Sequence, residues 1–302
     1  MTANSESIVS VGLRQQINDY YELCKPRVVM LIVFTAVVGM FLATPGMVPL
    51  DVLILGTLGI GLMAASAAAI NQILDHQVDA RMARTCGRPI VTGNISLPRS
   101  VAFAILIGSA GMAILYLWIN PLTAWLTLLT LVGYAGIYTL YLKRATPQNI
   151  VIGGAAGAAP PVLGWAAVTG TIDPHALLLF LIIFVWTPPH FWALAIERHK
   201  EYADVDIPML PVTHGLDFTR TQVLLYTVLL VAITVLPFVT GMSGLLYLVG
   251  ALLLGGEFLR LAWLLKFRPK PGLPMRTFGY SIFYLMAIFS LLLADHYLPY
   301  LL

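Results

Sequence analysis

The second apolar segment of the chain, Val52–Leu74, runs into the sequence Asn71-Gln-Ile-Leu-Asp75-His-Gln-Val-Asp79-Ala-Arg81-Met-Ala-Arg84-Thr85-Cys-Gly-Arg88-Pro89. The segment is apolar over the length that a helix needs to cross a bilayer. Asn71, Asp75 and Asp79 are four residues apart, so they share one face of the predicted helix. Two carboxylates at that spacing repel each other unless a cation or a proton lies between them. A phosphate ester with bound Mg²⁺, contacted by the downstream arginines, would explain both kinds of charge.

Composition places this helix in a membrane protein. Of the 302 residues, 59% are hydrophobic and 10% are charged, whereas a soluble domain carries about a quarter charged residues. We therefore predict an all-α, polytopic membrane protein of nine transmembrane helices, with an N-terminal segment at residues 1–27 and one transmembrane domain at residues 28–302. The nine apolar stretches of spanning length are Val28–Thr44, Val52–Leu74, Val101–Trp118, Leu122–Leu142, Ile150–Val168, Ala176–Ile196, Thr221–Thr240, Leu245–Leu265 and Phe278–Ala294.

The basic residues support this count of spans. With nine spans, all 17 lysines and arginines fall on one side of the membrane, and counts of eight or ten scatter them. Because basic loops stay in the cytoplasm, we expect a cytoplasmic N-terminus and a periplasmic C-terminus. Residues 1–27 are too acidic for a mitochondrial transit peptide and contain no apolar signal core, so we expect a bacterial inner-membrane protein.

Several functional classes have no signal in the sequence. The net charge of +3 is local to loops, and no basic helix or aromatic surface module supports nucleic-acid binding. No Gly-x-Ser-x-Gly elbow, Walker loop or zinc spacing is present, so covalent catalysis and ATP hydrolysis lack support. Cys24 and Cys86 both fall on the predicted cytoplasmic side, where thiols stay reduced.

A second acidic cluster follows the sixth apolar stretch. His190, Glu197 and Glu201 share one face if the helix continues that far. If the second and sixth helices face each other, Asp75, Asp79 and Glu201 can meet around one or two Mg²⁺ ions, which prefer oxygen ligands. The other acidic residues of this region are interpreted as solvated loop charges: Glu197, Asp204 and Asp206.

Five basic residues follow the second and fourth apolar stretches: Arg81, Arg84, Arg88, Lys143 and Arg144. Any one of them can act simply as a topology determinant. Arg88 is a better candidate for binding an anion, because Pro89 restricts its backbone and two arginines precede it. Lys143 and Arg144 directly follow the aromatic end of the fourth stretch, so they reach the same interface.

The sixth stretch contains Thr187-Pro188-Pro189-His190, where two prolines leave carbonyls without partners. We expect a kink or a broken helix there, facing the protein interior or a polar cavity. A lone buried histidine usually makes a structural hydrogen bond, and the alternative for His190 is contact with a substrate or acid–base chemistry. The small residues from Gly153 to Pro161 are interpreted as close helix packing in preference to ligand contact.

These motifs resemble the UbiA superfamily of intramembrane prenyltransferases. Its first motif, Asn-x-x-x-Asp-x-x-x-Asp followed by Arg and Arg-Pro, is matched by Asn71, Asp75, Asp79, Arg84 and Arg88-Pro89. Glu201 departs from the usual pattern, because the most similar branch commonly has Asp before the tyrosine that is Tyr202 here. Four further stretches are similar to that branch, which prenylates haem: Tyr141–Gly154, Pro160–Gly170, Trp186–Ile196 and Ile207–Pro211.

The resemblance implies a fold and a reaction. The nine helices would surround a central cavity that opens to the cytoplasmic face and laterally to lipid. The substrates would be farnesyl diphosphate and haem b, and transfer of the farnesyl group to a haem vinyl group with addition of water would give haem O. Contact with haem A synthase or with terminal oxidase assembly is expected as well.

The resemblance also implies roles for individual residues. The residues expected to take part in catalysis are Asn71, Asp75, Asp79, Arg88, Lys143 and Arg144. Mg²⁺ held by the carboxylates would neutralise the diphosphate, and the three cations would stabilise it as it leaves. Asn71 would orient the carboxylates or face the farnesyl cation. The expected ligands of Mg²⁺ are Asp75, Asp79 and Glu201. The expected substrate contacts are Arg84, His190 and Tyr202, with His190 on the haem side.

Two alternatives remain open on the sequence. A prenyltransferase for a quinone precursor or a chlorophyll-type acceptor would use the same first motif. A secondary transporter would place its ion site near the middle of the membrane. The acidic residues here lie at helix ends beside several arginines, which disfavours a transporter.

Overall fold

The computed structural model describes residues 12–298, and every regular element in that range is helical. Eight helices of this range are each long and apolar enough to cross a membrane. A ninth candidate span passes only as a pair, in which the N-terminal helix Leu13–Leu23 is joined to the helix Pro26–Leu42 by a bend of 54°. The predicted all-α membrane fold is confirmed. In chain order, spans 1 to 9 are Pro26–Leu42, Leu50–Asp79, Leu97–Ile119, Pro121–Ala145, Asn149–Thr169, Pro174–Glu197, Gly215–Val239, Leu245–Phe267 and Leu273–Tyr297.

Proline and capping residues define where several spans begin. Proline occupies the first position of spans 1, 4 and 6, where its missing N–H has no helical partner to lose. The side-chain oxygen of Asn120 accepts the amide N–H of Thr123 at 2.8 Å and so caps span 4. Span 1 begins at Pro26, slightly inside the N-terminal segment that was predicted to end at residue 27.

Glycines allow spans 1 and 5 to meet at backbone contact. A Cβ atom on Gly39 would lie 2.3 Å from the carbonyl oxygen of Pro161, and one on Gly164 would lie 1.9 Å from that of Ala36. Neither position has room for a side chain, so the two helices approach through these residues. Gly153 of span 5 likewise leaves no room for a Cβ beside an aromatic ring of span 4. Gly153 and Gly164 of span 5 therefore serve close packing, and for the other small residues this interpretation stays a prediction.

The prolines interrupt span 5 and leave span 6 whole. Span 5 consists of two helical pieces that meet at Ala159, directly before Pro160. Span 6 continues as one helix through Pro188 and Pro189. Of the two predicted alternatives, the broken helix is therefore wrong, and the kink stays a prediction. Span 6 packs against spans 5, 7 and 9, and neighbouring helices of this kind support proline within a membrane helix.

Span 4 changes from α-helix to π-helix over Val132–Leu142. Within this stretch, Thr139 donates its hydroxyl to the carbonyl of Tyr134, five residues earlier, at 2.8 Å. Wider turns of this kind are frequent at functional sites, because they redirect side chains on a helix. The π-helical stretch contacts span 2, beside the polar residues of its last turns.

Candidate active site

Span 2 stays helical as far as Asp79, so its three polar residues lie on one face. Asn71, Asp75 and Asp79 are only 5%, 3% and 4% exposed. Asp75 Oδ2 accepts hydrogen bonds from Asn71 Nδ2 at 3.1 Å and from Lys143 Nζ at 2.6 Å. Asp79 Oδ2 forms an ion pair with Arg88. Each buried carboxylate is therefore neutralised by one cation, as buried charges require.

The loop after span 2 turns back over the end of the helix and carries Arg88 with it. Thr85 donates its hydroxyl to the carbonyl of Asp79 at 2.9 Å, and the amide of Arg88 donates to the carbonyl of Thr85 at 3.1 Å. Thr85 and Pro89 are buried, so the turn is held from the inside. This local fold brings the guanidinium of Arg88 to a carboxylate nine residues earlier in the chain.

Span 4 contributes Lys143 to the site. Its π-helical stretch places the Thr139 hydroxyl 3.0 Å from Asn71 Nδ2, and Lys143 follows one turn later. Arg144 is exposed and forms no ion pair with either aspartate. Successive residues of a helix point roughly 100° apart, so these two neighbouring cations leave the helix in different directions. The structure brings Lys143 to the site and leaves Arg144 outside it.

Lys25 is a third cation of the site, and no sequence motif predicted it. It lies at the bend between the N-terminal helix and span 1, with left-handed backbone angles of φ 49° and ψ 61°. Its Nζ donates a hydrogen bond to Asn71 Oδ1. Burial, followed by the charge of Arg88, lowers the pKa of Lys25 to about 7 against the opposing charges of Asp75 and Asp79. The only sequence signal is its place directly before the first proline of a span.

The N-terminal helix is fastened over this end of span 2. Gln72 Nε2 donates to the backbone carbonyls of Glu22 and Leu23, both at 3.0 Å. The carboxylate of Asp19 accepts from Asn94, in the loop after span 2, at 3.3 Å. These bonds tie the helix to the site on two sides and thereby fix the position of Lys25.

The second acidic cluster does not continue the face of span 6. Span 6 ends at Glu197, and a separate short helix, His199–Ala203, carries Glu201. The predicted single face for His190, Glu197 and Glu201 is therefore wrong, because the helix stops between them. Glu201 Oε1 lies 2.5 Å from Arg198 Nη1, and its Oε2 is buried without a hydrogen-bond partner among the described residues.

Asp75 and Asp79 therefore form a pair without Glu201. Within residues 12–298, no three His, Cys, Asp or Glu side chains converge as a metal site. The pair nevertheless fits Mg²⁺, because it offers hard carboxylate oxygens on one helix face, and Mg²⁺ takes further ligands from water and substrate phosphates. The role of Glu201 as a metal ligand stays a prediction.

Arg84 and Tyr202 lie near each other, outside the carboxylate pair. Tyr202 is buried, which raises the pKa of its phenol, and the charge of Arg84 acts in the opposite direction. Arg84 itself is exposed and forms no ion pair within the described range. Their predicted contact with substrate remains a prediction. The three acidic residues interpreted as solvated charges are all exposed: Glu197, Asp204 and Asp206.

His190 lies apart from the charged cluster, within span 6. Its ring stacks between Trp186 and Phe278, with centroid distances of 4.1 and 4.6 Å. Its Nδ1 lies 2.6 Å from the hydroxyl oxygen of Ser281 in span 9. This histidine therefore links spans 6 and 9 in the protein interior.

The fold and the site together define a class of protein. A bundle of membrane helices carries two buried carboxylates and three cations, Lys25, Arg88 and Lys143, at one end of span 2. Carboxylates of this kind bind a divalent cation, and clustered cations bind phosphate oxygens. The arrangement is typical of a membrane protein that binds a phosphate ester together with a divalent cation.

Comparison with known proteins agrees with this class. The model of the UbiA prenyltransferase family matches residues 32–291. A protein of Nitrosococcus oceani named protoheme IX farnesyltransferase is 63% identical over 281 residues, which are 93% of this chain and 94% of that protein. A protein of the same name from Methylococcus capsulatus is 59% identical over 298 residues, 99% of each chain. The chain therefore belongs to the UbiA prenyltransferase family, and the resemblance to its haem branch is confirmed.

Solved structures share the fold at low sequence identity. A digeranylgeranylglyceryl phosphate synthase superposes with a TM-score of 0.78 at 17% identity, covering 93% of this chain and 99% of its own. A UbiA homologue from Archaeoglobus fulgidus, bound to GPP and Mg²⁺, superposes with a TM-score of 0.62 at 17% identity, covering 91% and 99%. At this identity the likeness establishes the fold alone.

Proposed function

We propose that this chain transfers the farnesyl group of farnesyl diphosphate to a vinyl group of haem b, with addition of water, and releases haem O and diphosphate. The observation that carries the chemistry is the buried set of Asp75 and Asp79 with Lys25, Arg88 and Lys143. The acceptor is inferred from the near full-length relatives that are named for protohaem IX.

The charges of the site suit a magnesium diphosphate. Two carboxylates and three cations carry one net positive charge when Lys25 is protonated. A diphosphate ester has three negative charges and Mg²⁺ two positive ones, so the loaded site is neutral. Binding exchanges partners: Arg88 and Lys143 leave Asp79 and Asp75 for phosphate oxygens, and the freed carboxylates become available as metal ligands.

The reaction then follows from where charge develops. The bond between C1 of farnesyl and the bridging phosphate oxygen breaks, and the electron pair stays on the diphosphate. Lys25, Arg88 and Lys143 stabilise the growing negative charge, and Asn71, held between Lys25 and Thr139, keeps Asp75 oriented. Bound Mg²⁺ supplies further neutralisation of the leaving group.

The allylic cation is consumed by the acceptor. The terminal carbon of the haem vinyl group attacks C1 of the farnesyl cation, which moves the positive charge to the inner vinyl carbon. Water adds there and loses a proton, and the product carries a hydroxyethylfarnesyl group. The apolar surroundings of the spans keep water away from the first cation until carbon–carbon bond formation.

The location and topology of the protein belong to the same proposal. Under the nine-span topology, all 17 basic residues lie in the loops on one side or towards that end of a span, which supports a cytoplasmic N-terminus and a periplasmic C-terminus. The membrane of this proposal is a bacterial inner membrane. Residues 28–302 act as one domain, Mg²⁺ is required, and the product passes to haem A synthase or to terminal oxidase assembly.

The decisive assay supplies purified protein in lipid with radiolabelled farnesyl diphosphate and one acceptor at a time. We expect label in a haem product with haem b and none in a product with 4-hydroxybenzoate, and omission of Mg²⁺ should abolish transfer. Transfer to 4-hydroxybenzoate in preference to haem would contradict the proposal. Transport of substrate into vesicles without any prenylated product would place the protein in a different class.

A further inference from the structure

We propose that His190 is the axial ligand of the haem iron through Nε2, and that Ser281 is the positioning residue that fixes the required tautomer. The assignment rests on the proposed function, because it takes haem b as the acceptor. It concerns a part of the molecule separate from the charged cluster of span 2.

The proton positions follow from two hydrogen bonds. The hydroxyl of Ser281 donates its single proton to the backbone carbonyl of Phe278 at 2.6 Å. With its proton used there, the same oxygen accepts from His190 Nδ1, also at 2.6 Å. In this arrangement the imidazole carries its proton on Nδ1. In the neutral ring, Nε2 then holds an unshared electron pair in the ring plane, which is the form that ligates a metal.

The surroundings favour the neutral ring and leave only one edge available. Trp186 stacks on the imidazole at an interplanar angle of 17° and Phe278 at 24°, so both faces are covered by aromatic surface. An imidazolium without a carboxylate partner in this apolar setting would be a costly buried charge. Nε2 has no hydrogen-bond partner among the described residues, although His190 retains accessible surface. An iron atom approaching in the ring plane would meet this free nitrogen.

A purely structural role would not use Nε2. Spans 6 and 9 are already joined by Trp186, whose indole N–H donates to the backbone carbonyl of Ser281 at 2.8 Å, and by His190 Nδ1 on the Ser281 hydroxyl. Both links are complete without the second nitrogen. A hydrogen bond from Nδ1–H to an oxygen acceptor is also the usual outer contact of a metal-bound histidine, since it orients the ring and makes the ligand more basic.

The position of His190 along span 6 suits a membrane-embedded acceptor. It precedes the last helical residue, Glu197, by seven residues, which corresponds to about 10 Å along the helix axis. A macrocycle bound there lies within the bundle, deeper than the end of the helix. The farnesyl chain, being apolar, extends from its diphosphate into the same interior.

The first test is spectroscopic and uses the full-length protein in lipid nanodiscs, titrated with haem b in the absence of farnesyl diphosphate. We expect resonance Raman and electron paramagnetic resonance spectra of histidine-ligated haem. In His190→Ala we expect loss of that signature and a haem Kd raised roughly 10- to 100-fold, the range seen when metal-site contacts are removed. Free imidazole should restore the spectrum, which a structural role would not predict. His214→Ala, at an exposed histidine, is the matched control and should bind haem normally.

Ser281 is tested with two variants. Ser281→Ala should keep the histidine signature and raise the reduction potential of bound haem, because the imidazole becomes a weaker electron donor. Ser281→Thr, which keeps the hydroxyl, should restore the wild-type potential. Wild-type protein that binds haem without a histidine signature would overturn the assignment, whatever the stability of the variants. So would a folded His190→Ala variant with an unchanged spectrum. If wild type forms haem O but shows either of these two results, only the ligand assignment is overturned and the proposed function stands. If wild type binds haem through histidine but forms no haem O, only the proposed function is overturned.

Discussion

Lys25→Met should weaken binding of farnesyl diphosphate while leaving the fold intact. A hydrogen bond that involves a charged group contributes about 1.5–3 kcal/mol, which is roughly 10- to 150-fold in Kd. In the free protein the Lys25 ammonium already donates a hydrogen bond to Asn71. The binding free energy that the variant loses is therefore only the difference between this bond and the stronger bond to a phosphate oxygen. We therefore expect a Kd about 10-fold higher, at the lower end of this range. The bond-breaking step should also be slower, because the same charge stabilises the leaving group.

The assay measures farnesyl diphosphate affinity, single-turnover rate and thermal unfolding for three proteins in the same lipid. Arg27→Met is the matched control, because it removes an exposed cation two residues away. Lys25→Met should unfold at the wild-type temperature or above it, since burial of an ammonium is costly and methionine fills similar space.

An equal loss of affinity in both variants would show that general surface charge, and not the placement of Lys25, matters. Unchanged affinity and rate in a folded Lys25→Met variant would remove this residue from the diphosphate site. A large drop in unfolding temperature would assign it a structural role at the bend before span 1.

The remaining predictions concern the same site and the topology. Asp75→Asn or Asp79→Asn should reduce turnover about 10²-fold or more without impairing membrane insertion, and near-normal activity of both at low Mg²⁺ would contradict a metal site. Glu201→Gln should impair catalysis more than Glu201→Asp; equal activity of the Gln variant and wild type would exclude this carboxylate as a ligand. Because diphosphate favours the ammonium form of Lys25, whose pKa is about 7 in the free protein, affinity should fall as pH rises above 7, and calorimetry in two buffers should detect proton uptake that the Met variant lacks. A reporter after Leu302 should be periplasmic and one in the loop after span 2 cytoplasmic; a cytoplasmic C-terminus would overturn the odd number of spans.

The charged cluster illustrates how far sequence reasoning reaches. The common face of Asn71, Asp75 and Asp79 depends only on the helical repeat, and the structure has the three residues on one helix. The same reasoning fails for Glu201, because a single residue, Arg198, leaves the helical conformation and ends span 6 before that position. Residues at helical spacing share a face only where the helix is continuous.

Which residues belong to the site depends on contacts between segments that are far apart in the chain. Lys25 reaches Asn71 from the bend before span 1, and Lys143 reaches Asp75 from span 4, while its neighbour Arg144 faces away. Which of two adjacent cations enters a site depends on the rotation of the helix, and span 4 turns through a π-helical stretch that carries no obvious sequence signal.

The sequence by itself determined the membrane class, the positions of the spans, the first acidic motif and the family, because hydrophobic length, helical repeat and motif spacing are local properties of a chain. Only the tertiary structure decided that Lys25 joins the site, that Arg144 and Glu201 stand outside the carboxylate pair, and that His190 lies within hydrogen-bond distance of Ser281. Those facts depend on how helices far apart in the chain rotate and approach each other. That approach is set by packing at points such as Gly39 and Gly164, where one helix backbone touches another.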